Sequence, residues 1–389
     1  MERICHGRGS TEESRTHARS SRHSNIDAGL AHFVMSTVIA RSVASKSTGQ
    51  PPRSAETPAD SSKDLLLSKV ILIVGSPRSG TTWLGKIFDS HPAVRYRHEP
   101  DESPTEPRDI DVNSFASAVR RWIRQPPLRT VAKLPLFRKS WESHTTHLVR
   151  LLAVYLLSAA AALPFVGQSL ARAPLPEIFD VDDADVDHAR TAIKSIRLSA
   201  GAYHFARSYP EGRTCLILRH PCGQVESVMR GVSEGRFSNR GNEKFMPYNE
   251  DRAMVHAARR GLTAAQFHAL PAAAKYAWAW VAFNESAIAA LDGLPNARIV
   301  IYEELCAEPE AVSRALFAFA GLPWCDQTAA FVTDSAHGEE RSSYYSVYRD
   351  AAAAADRWRE RMSPEDQRAV REVVAQSTLA RLWPDLSSS

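Results

Sequence analysis

The apolar positions of this chain group into two kinds of segment. Short aliphatic runs, Lys69 to Val74, Thr214 to Leu218 and Ala297 to Tyr302, have the length and content of parallel strands buried on both faces. Longer segments repeat their apolar residues at helical spacing. In Thr81 to Ser90, Trp83, Leu84, Ile87 and Phe88 share one face, and His91-Pro92 stops the helix. Ser114 to Ile123, Cys222 to Arg230, Ala272 to Leu291, Glu310 to Ala320 and Pro364 to Ala375 also read as helices, and Gly231 is expected to cap the second of these. Trp278 and Trp280 stand two apart on a helix, so at most one is expected in the core. Ala93 to Tyr96 and Arg190 to Leu198 read as further strands. Alternating strands and helices predict an α/β fold, a central parallel sheet covered on both faces. Lys69 to Tyr96 predicts a right-handed parallel pair, with the loops that follow on the carboxyl edge where such sheets bind ligands.

Some stretches depart from this pattern. Residues 1 to 62 lack sustained periodicity and read as a disordered tail. Within it, Met35 to Arg53 carries Arg41, Lys46 and Arg53, several Ser and no acid, a composition like that of organelle-targeting segments. Leu148 to Gly167 is the most apolar stretch. Arg150 and Pro164 bracket a run at the lower limit for a bilayer span, so a buried or interfacial helix is expected, with a span as the alternative. Asp180 to Asp187 reads as a solvated acidic linker, and Gly231 to Gly261 as a functional flap. The 389 residues allow one large domain, here 63–389, with a helical insertion at about 114–187. A net charge of +4 suits anionic ligands and gives no ground for expecting nucleic acid. Five cysteines without a C-x-x-C pair exclude a disulfide framework or zinc ribbon and fit reduced thiols in the cytoplasm.

The chemistry concentrates where strands hand over to helices. Gly75-Ser76-Pro77-Arg78-Ser79-Gly80-Thr81-Thr82 follows the first strand with the G-x-x-x-x-G spacing of a phosphate-binding loop. Backbone N–H groups and a helix N-terminus converge there, so the loop is an anion cradle in a P-loop-like three-layer α/β/α fold. A nucleotide triphosphatase puts Lys where Thr81 stands, and here the cation is Arg78 inside the loop. At the second handover, Arg219 projects from a strand end and Ser227 lies early on the next helix, so both can reach one phosphate. The second strand ends in Arg97-His98-Glu99-Pro100 on the same sheet edge. His144 and His147 share a helix face, but no third metal ligand is visible.

Ser76-Pro77-Arg78-Ser79-Gly80-Thr81-Thr82-Trp83-Leu84 resembles the 5′-phosphosulfate loop of sulfotransferases, which use 3′-phosphoadenosine 5′-phosphosulfate (PAPS) as donor. Arg219 and Ser227 are similar to the family's 3′-phosphate grip, at the same spacing. Val300 to Leu305 resembles a strand-end segment common in the family. Arg341-Ser342-Ser343-Tyr344-Tyr345 stands where a late loop closes over the nucleotide. The resemblance runs from about Lys69 to the C-terminus and is sharp over the two motifs. It implies that Arg78, Ser79, Gly80, Thr81, Thr82, Trp83, Arg219, Ser227 and Arg341 bind the donor. It also implies sulfuryl transfer, without a metal, to a hydroxyl or amine of a carbohydrate, lipid or small molecule.

The family takes the acceptor proton with a His in some branches and a carboxylate in carbohydrate-type ones. Glu99 is the expected base and His98 the alternative, because strand alternation puts them on opposite faces and lets one reach the crevice. Lys194, with Arg197, is expected to face donor or acceptor, and Lys194 joins Arg78 in steadying charge on the leaving phosphate. Two rival readings remain: a P-loop kinase or nucleotide triphosphatase, and a membrane-associated nucleotide-binding protein served by 148–167. Cytoplasm is the expected location, with an organelle or a membrane surface as alternatives.

Overall fold

The computed structural model describes residues 66–102, 112–161, 189–197, 199–236, 250–338, 347–348 and 350–387. They belong to one unit, Pro58–Ser389. The tail, the Met35 to Arg53 segment, the Asp180 to Asp187 linker and Arg341 to Tyr345 lie outside them.

Five parallel strands form the sheet: β1 (Val70–Val74), β2 (Val94–His98), β3 (Arg190–Ser195), β4 (Arg213–Leu218) and β5 (Ala297–Ile301), in spatial order β2-β3-β1-β4-β5. The segment read from Arg190 is thus a strand, and it changes the pairing expected from the sequence. β1 and β2 are not neighbours, because β3 inserts between them. β2 runs on to His98, two residues past the expected end. β5 is an edge strand rather than a buried one, with Ile299 44% exposed.

Side-chain alternation builds the two cores. Val70, Leu72 and Val74 point to one face, and Ile71 and Ile73 to the other. The second face is covered first by α1 (Thr81–Asp89), through Leu84, Ile87 and Phe88. The first is covered by α2 (Val112–Arg124), whose Phe115, Val119 and Ile123 are buried. Arg97 caps the end of α2, its Nε donating to the Trp122 carbonyl at 2.9 Å and its Nη2 to that of Ile123 at 2.8 Å. After α2 come α3 (Leu128–Val131) and α4 (His144–Ala161). Beneath them, Asp89 is buried between Lys86 Nζ at 2.6 Å and Lys139 Nζ at 2.8 Å, tying α1 to the chain that leads into α4. Burial alone would raise the Asp89 pKa, and the two ammonium charges hold it below the usual carboxylate value.

The apolar segment after Leu148 is not a core helix. α4 leaves Leu148, Val149, Leu152, Tyr155 and Leu156 each more than half exposed, and Val154 is its buried contact. Among the described residues no helix is long and apolar enough to cross a membrane.

α5 (Ser199–Ser208) and α6 (Pro221–Ser233) flank β4. α6 continues two residues past Gly231, so that glycine does not cap it. α7 (Glu250–Ala258) shows that part of the expected flap is helical, while 237–249 lies outside the described residues. α8 (Ala264–Ala269) and α9 (Ala272–Leu291) follow. Trp278 and Trp280 are both buried, against the expectation of one at most. α9 packs against α5, α6 and α7, and against a C-terminal helix as well, so its buried arc is wide enough to take both rings and only a narrow half-exposed stripe through Tyr276, Ala279 and Phe283 is left. α10 (Tyr302–Ala307), α11 (Pro309–Phe319), α12 (Asp326–His337) and α13 (Ala351–Asp356) cover the α1 face. α14 (Trp358–Arg361) and α15 (Pro364–Val374) close the other, α15 being the C-terminal helix against α9.

Candidate active site

The cradle forms where β1 hands over to α1. Arg78 (φ 72°) and Gly80 (φ 101°) both take left-handed backbone, which curls the loop. Both loop glycines are sterically required. A Cβ on Gly75 would lie 2.5 Å from Ser79 Oγ, and one on Gly80 would lie 2.5 Å from the Tyr302 ring. The first helical bond of α1 runs from Leu84 N to Gly80 O at 3.1 Å. The amides of the first turn therefore have no intrahelical acceptor, and the N-cap, a glycine, has no side chain to cap them. Ser79 Oγ is buried without a partner among the described residues. Uncapped amides and an orphaned hydroxyl around a tight loop fit a phosphate or sulfate oxygen. Thr81 is buried with its methyl group against Gly75, and Thr82 is half-buried. Trp83 is committed elsewhere: its indole N–H donates to Ser335 Oγ at 2.9 Å and its ring meets Tyr302 edge-on.

The second handover, β4 to α6, touches the first. Arg78 Nε donates to Ser227 Oγ at 3.1 Å, and Arg219 Nη1 donates to the Arg78 carbonyl at 3.3 Å. Arg219 is 8% exposed, lies over the Tyr302 ring at 4.8 Å and donates through Nη2 to Ala354 O at 3.1 Å. Its Nε is buried without a partner among the described residues. Gln224, a residue the sequence did not single out, donates to Ser76 Oγ at 2.6 Å and adds a third tie. The strand end itself is braced. His220 stacks on Trp358 at 4.5 Å, and Glu303 accepts from its backbone N–H at 2.9 Å and from Trp383 Nε1 at 3.1 Å. Burial pulls the His220 pKa down to about 4, so this wedge is neutral.

The third group comes from β2 and β3. Their register sets His98 beside Lys194, and the Glu99 N–H continues the ladder to Lys194 O at 2.8 Å. Glu99 then takes a left-handed backbone, φ 47°. Alternation therefore fails at that residue. Glu99 Oε1 lies 4.0 Å from His98 Nε2 and forms an ion pair with Lys194 Nζ, so both candidates reach the same place. Burial, and then the Arg78 charge, push the Lys194 pKa well below the lysine range. Burial and then the Lys194 charge do the same to His98, which is neutral. Lys133, just after α3, also belongs here. Its pKa is lowered by burial and then by Arg78, and its charge acts on His98. No motif marks it, and only the fold brings it to this edge. Tyr96, buried with its hydroxyl 3.0 Å from His98 Nδ1, was not singled out from the sequence; it stands two residues before His98, and period-2 spacing is the signal that could have found it.

Arg341 lies outside the described residues. Arg197, beyond β3, is exposed. His144 and His147 face Arg138 and Glu142, and among the described residues no His, Cys, Asp or Glu cluster is arranged to hold a metal ion.

The Sulfotransferase family model matches residues 70–326, more than half of the chain. No curated protein matches. Among solved structures the chain is similar to the sulfotransferase domain from the curacin biosynthetic pathway, with 14% identity, 78% of this chain and 96% of that one covered, and a TM-score of 0.38. It is similar to sulfotransferase STF9 from Mycobacterium avium, with 16% identity, 84% and 80% covered, and a TM-score of 0.37. It is also similar to mouse sulfotransferase SULT7A1 complexed with PAP, with 15% identity, 84% and 93% covered, and a TM-score of 0.37. At these identities and TM-scores the family assignment rests on the family model.

Proposed function

This chain belongs to the sulfotransferase family, and from that premise we propose that it moves a sulfuryl group from PAPS to a hydroxyl or amine of a carbohydrate, lipid or small-molecule acceptor. When bound, that donor supplies a sulfuryl group already activated by its anhydride link to phosphate. The first-turn amides of α1, with Arg78, Ser79, Gly80, Thr81 and Thr82, hold its 5′ end. Arg219 and Ser227 hold its 3′-phosphate. Trp83 supports the loop from the core, and Arg341 belongs to a segment that closes over the nucleotide. Glu99 takes the acceptor proton as the acceptor attacks sulfur in line. Arg78 and Lys194 steady the negative charge that gathers on the departing phosphate oxygen. The α4 insertion and the 231–261 segment select the acceptor.

One observation carries this reading. Arg78 bridges the loop to Ser227 at 3.1 Å while Arg219 holds the Arg78 carbonyl, so the two handovers form one continuous grip. A ligand with anions on both the 3′ and the 5′ oxygens of an adenosine's ribose matches it. The test is calorimetric titration with 3′-phosphoadenosine 5′-phosphate (PAP), which we expect to bind at micromolar level or tighter. It is joined by incubation of labelled PAPS with an acceptor panel. A chain that fails to bind PAP, or that turns over ATP with magnesium, overturns the reading.

A further inference from the structure

We propose that Tyr96 and His98 are positioning residues for Glu99: the Tyr96 hydroxyl fixes His98 as the tautomer protonated on Nε2, and that N–H faces the carboxylate. This rests on the reading of Glu99 as the base.

Tyr96 and His98 sit on one face of β2, and Arg97 turns to the other to cap α2. Tyr96 is 5% exposed and packs in the α1-side core. Its Oη has one hydrogen-bond partner among the described residues, His98 Nδ1 at 3.0 Å. Space for that hydroxyl comes from Gly85 on α1, where a Cβ would lie 2.7 Å from Oη. A phenol carries a single hydrogen. If Nδ1 held the imidazole proton and donated to Oη, the phenol hydrogen would be buried with no acceptor. The cost of that orphan selects the other arrangement, in which Tyr96 donates to Nδ1 and Nε2 carries the proton.

The ring is thereby fully assigned. Its one lone pair is used by Tyr96, so it has none for an acceptor proton. The charged groups around it are Lys194 on β3, Lys133 after α3, Arg129 on α3, Lys86 on α1 and Glu99 itself. Four cations and burial keep the ring neutral. The Lys194 ammonium pairs with Glu99 Oε1, and the His98 Nε2–H lies 4.0 Å from the same oxygen, an electrostatic neighbour rather than a hydrogen-bond donor to it. Oε2 is left as the oxygen that takes the proton. As the acceptor oxygen bonds to sulfur, its proton passes to Oε2, and the bond from sulfur to the 5′-phosphate oxygen breaks with its electron pair leaving on that oxygen.

Two measurements test this. Long-range proton–nitrogen NMR on the full chain, with the His98 signals assigned by their loss in His98→Gln, should show a neutral ring protonated on Nε2. Tyr96→Phe, and separately Gly85→Ala, which pushes the phenol aside, should give a mixture of tautomers. A wild-type ring protonated on Nδ1, or charged, overturns the proposal. The second measurement is release of PAP from PAPS with water as acceptor. Tyr96→Phe should lower kcat about tenfold with KM for PAPS unchanged. His98→Gln places an amide N–H near the Nε2 position and should stay within about threefold, whereas His98→Asn should not. If His98→Gln falls as far as Glu99→Gln, His98 is the base and the proposal is wrong. If Glu99→Gln keeps its activity, the reading of Glu99 fails, and the NMR result still decides the tautomer.

Discussion

Replacing Arg219 by Ala removes a guanidinium that is 8% exposed and whose Nε has no partner among the described residues. Through Nε it can give a phosphate one charge-assisted hydrogen bond, about 1.5–3 kcal/mol. The charge adds a Coulomb attraction of about 4 kcal/mol per phosphate charge at contact, at the effective dielectric of a partly buried pair. Desolvating the phosphate offsets part of the sum, leaving about 3–4 kcal/mol, a loss of about 10²–10³ in affinity for PAP. The same side chain donates to the carbonyls of Arg78 and Ala354, so its removal also loosens the loop. Those orphaned acceptors cost about 1–3 kcal/mol of fold stability, read as a melting point lower by about 2–4 °C per kcal/mol. Titrating PAP and adenosine 5′-phosphate in parallel separates the two effects, because the second lacks the 3′-phosphate. The wild type should prefer PAP by about 10²-fold, and the variant by only a few-fold. Equal weakening of both ligands would refute the assignment and make Arg219 a prop for the loop alone.

Gly80→Ala puts a Cβ into a residue at φ 101°, 2.5 Å from the Tyr302 ring. The backbone term alone costs about 1–2 kcal/mol, so thermal melts should show a clear loss and PAP binding should weaken, and a variant that binds PAP like wild type contradicts the steric argument. Lys86 is fully buried, and burial first, against the pull of Asp89, lowers its pKa from 10.5 to about 8. The folded state therefore binds this proton less tightly than the unfolded state does. The destabilisation is complete below pH 8 and is relieved as pH rises from about 8 to 10.5, so wild type should gain stability relative to Lys86→Met across that window in melts at stepped pH. A stability gap that is flat with pH would show that Lys86 stays charged.

How far the fold could be read from the sequence depended on whether a segment met the environment its pattern presumes. β1 is an unbroken aliphatic run and β4 ends in one, Leu216-Ile217-Leu218; both lie inside the sheet, and they stand where their pattern put them. β3 carries Arg190 and Lys194 and lacks that look, because its end serves the site as well as the core. Spatial order was not legible: the chain leaves β2 for the long insertion before β3 returns between β1 and β2, and no local pattern encodes that choice. α9 defeated the amphipathic argument by being covered on several sides. α4 defeated it in the opposite sense, with Leu148, Leu152, Tyr155 and Leu156 aligned at helical spacing toward solvent.

At the site, the sharing of one sheet edge followed from the sequence, and the contacts between side chains did not. Arg78, Arg219 and Ser227 could be brought together because parallel strands put every strand-to-helix loop on one edge. Lys133 arrives from a segment with no motif, so its closeness to Arg78 is a product of the Asp89 anchor, which holds Lys86 and, through Lys139, the chain that follows α3. The separation of His98 from Glu99 failed for a reason confined to one residue. Alternation holds as long as φ stays extended, and at Glu99 φ is 47°. That step turns the carboxylate back toward the His98 side, where Lys194, fixed opposite His98 by strand register, can reach it. A left-handed non-glycine residue is a small local cost, and here it places a carboxylate beside a buried ammonium on the edge that carries the anion cradle.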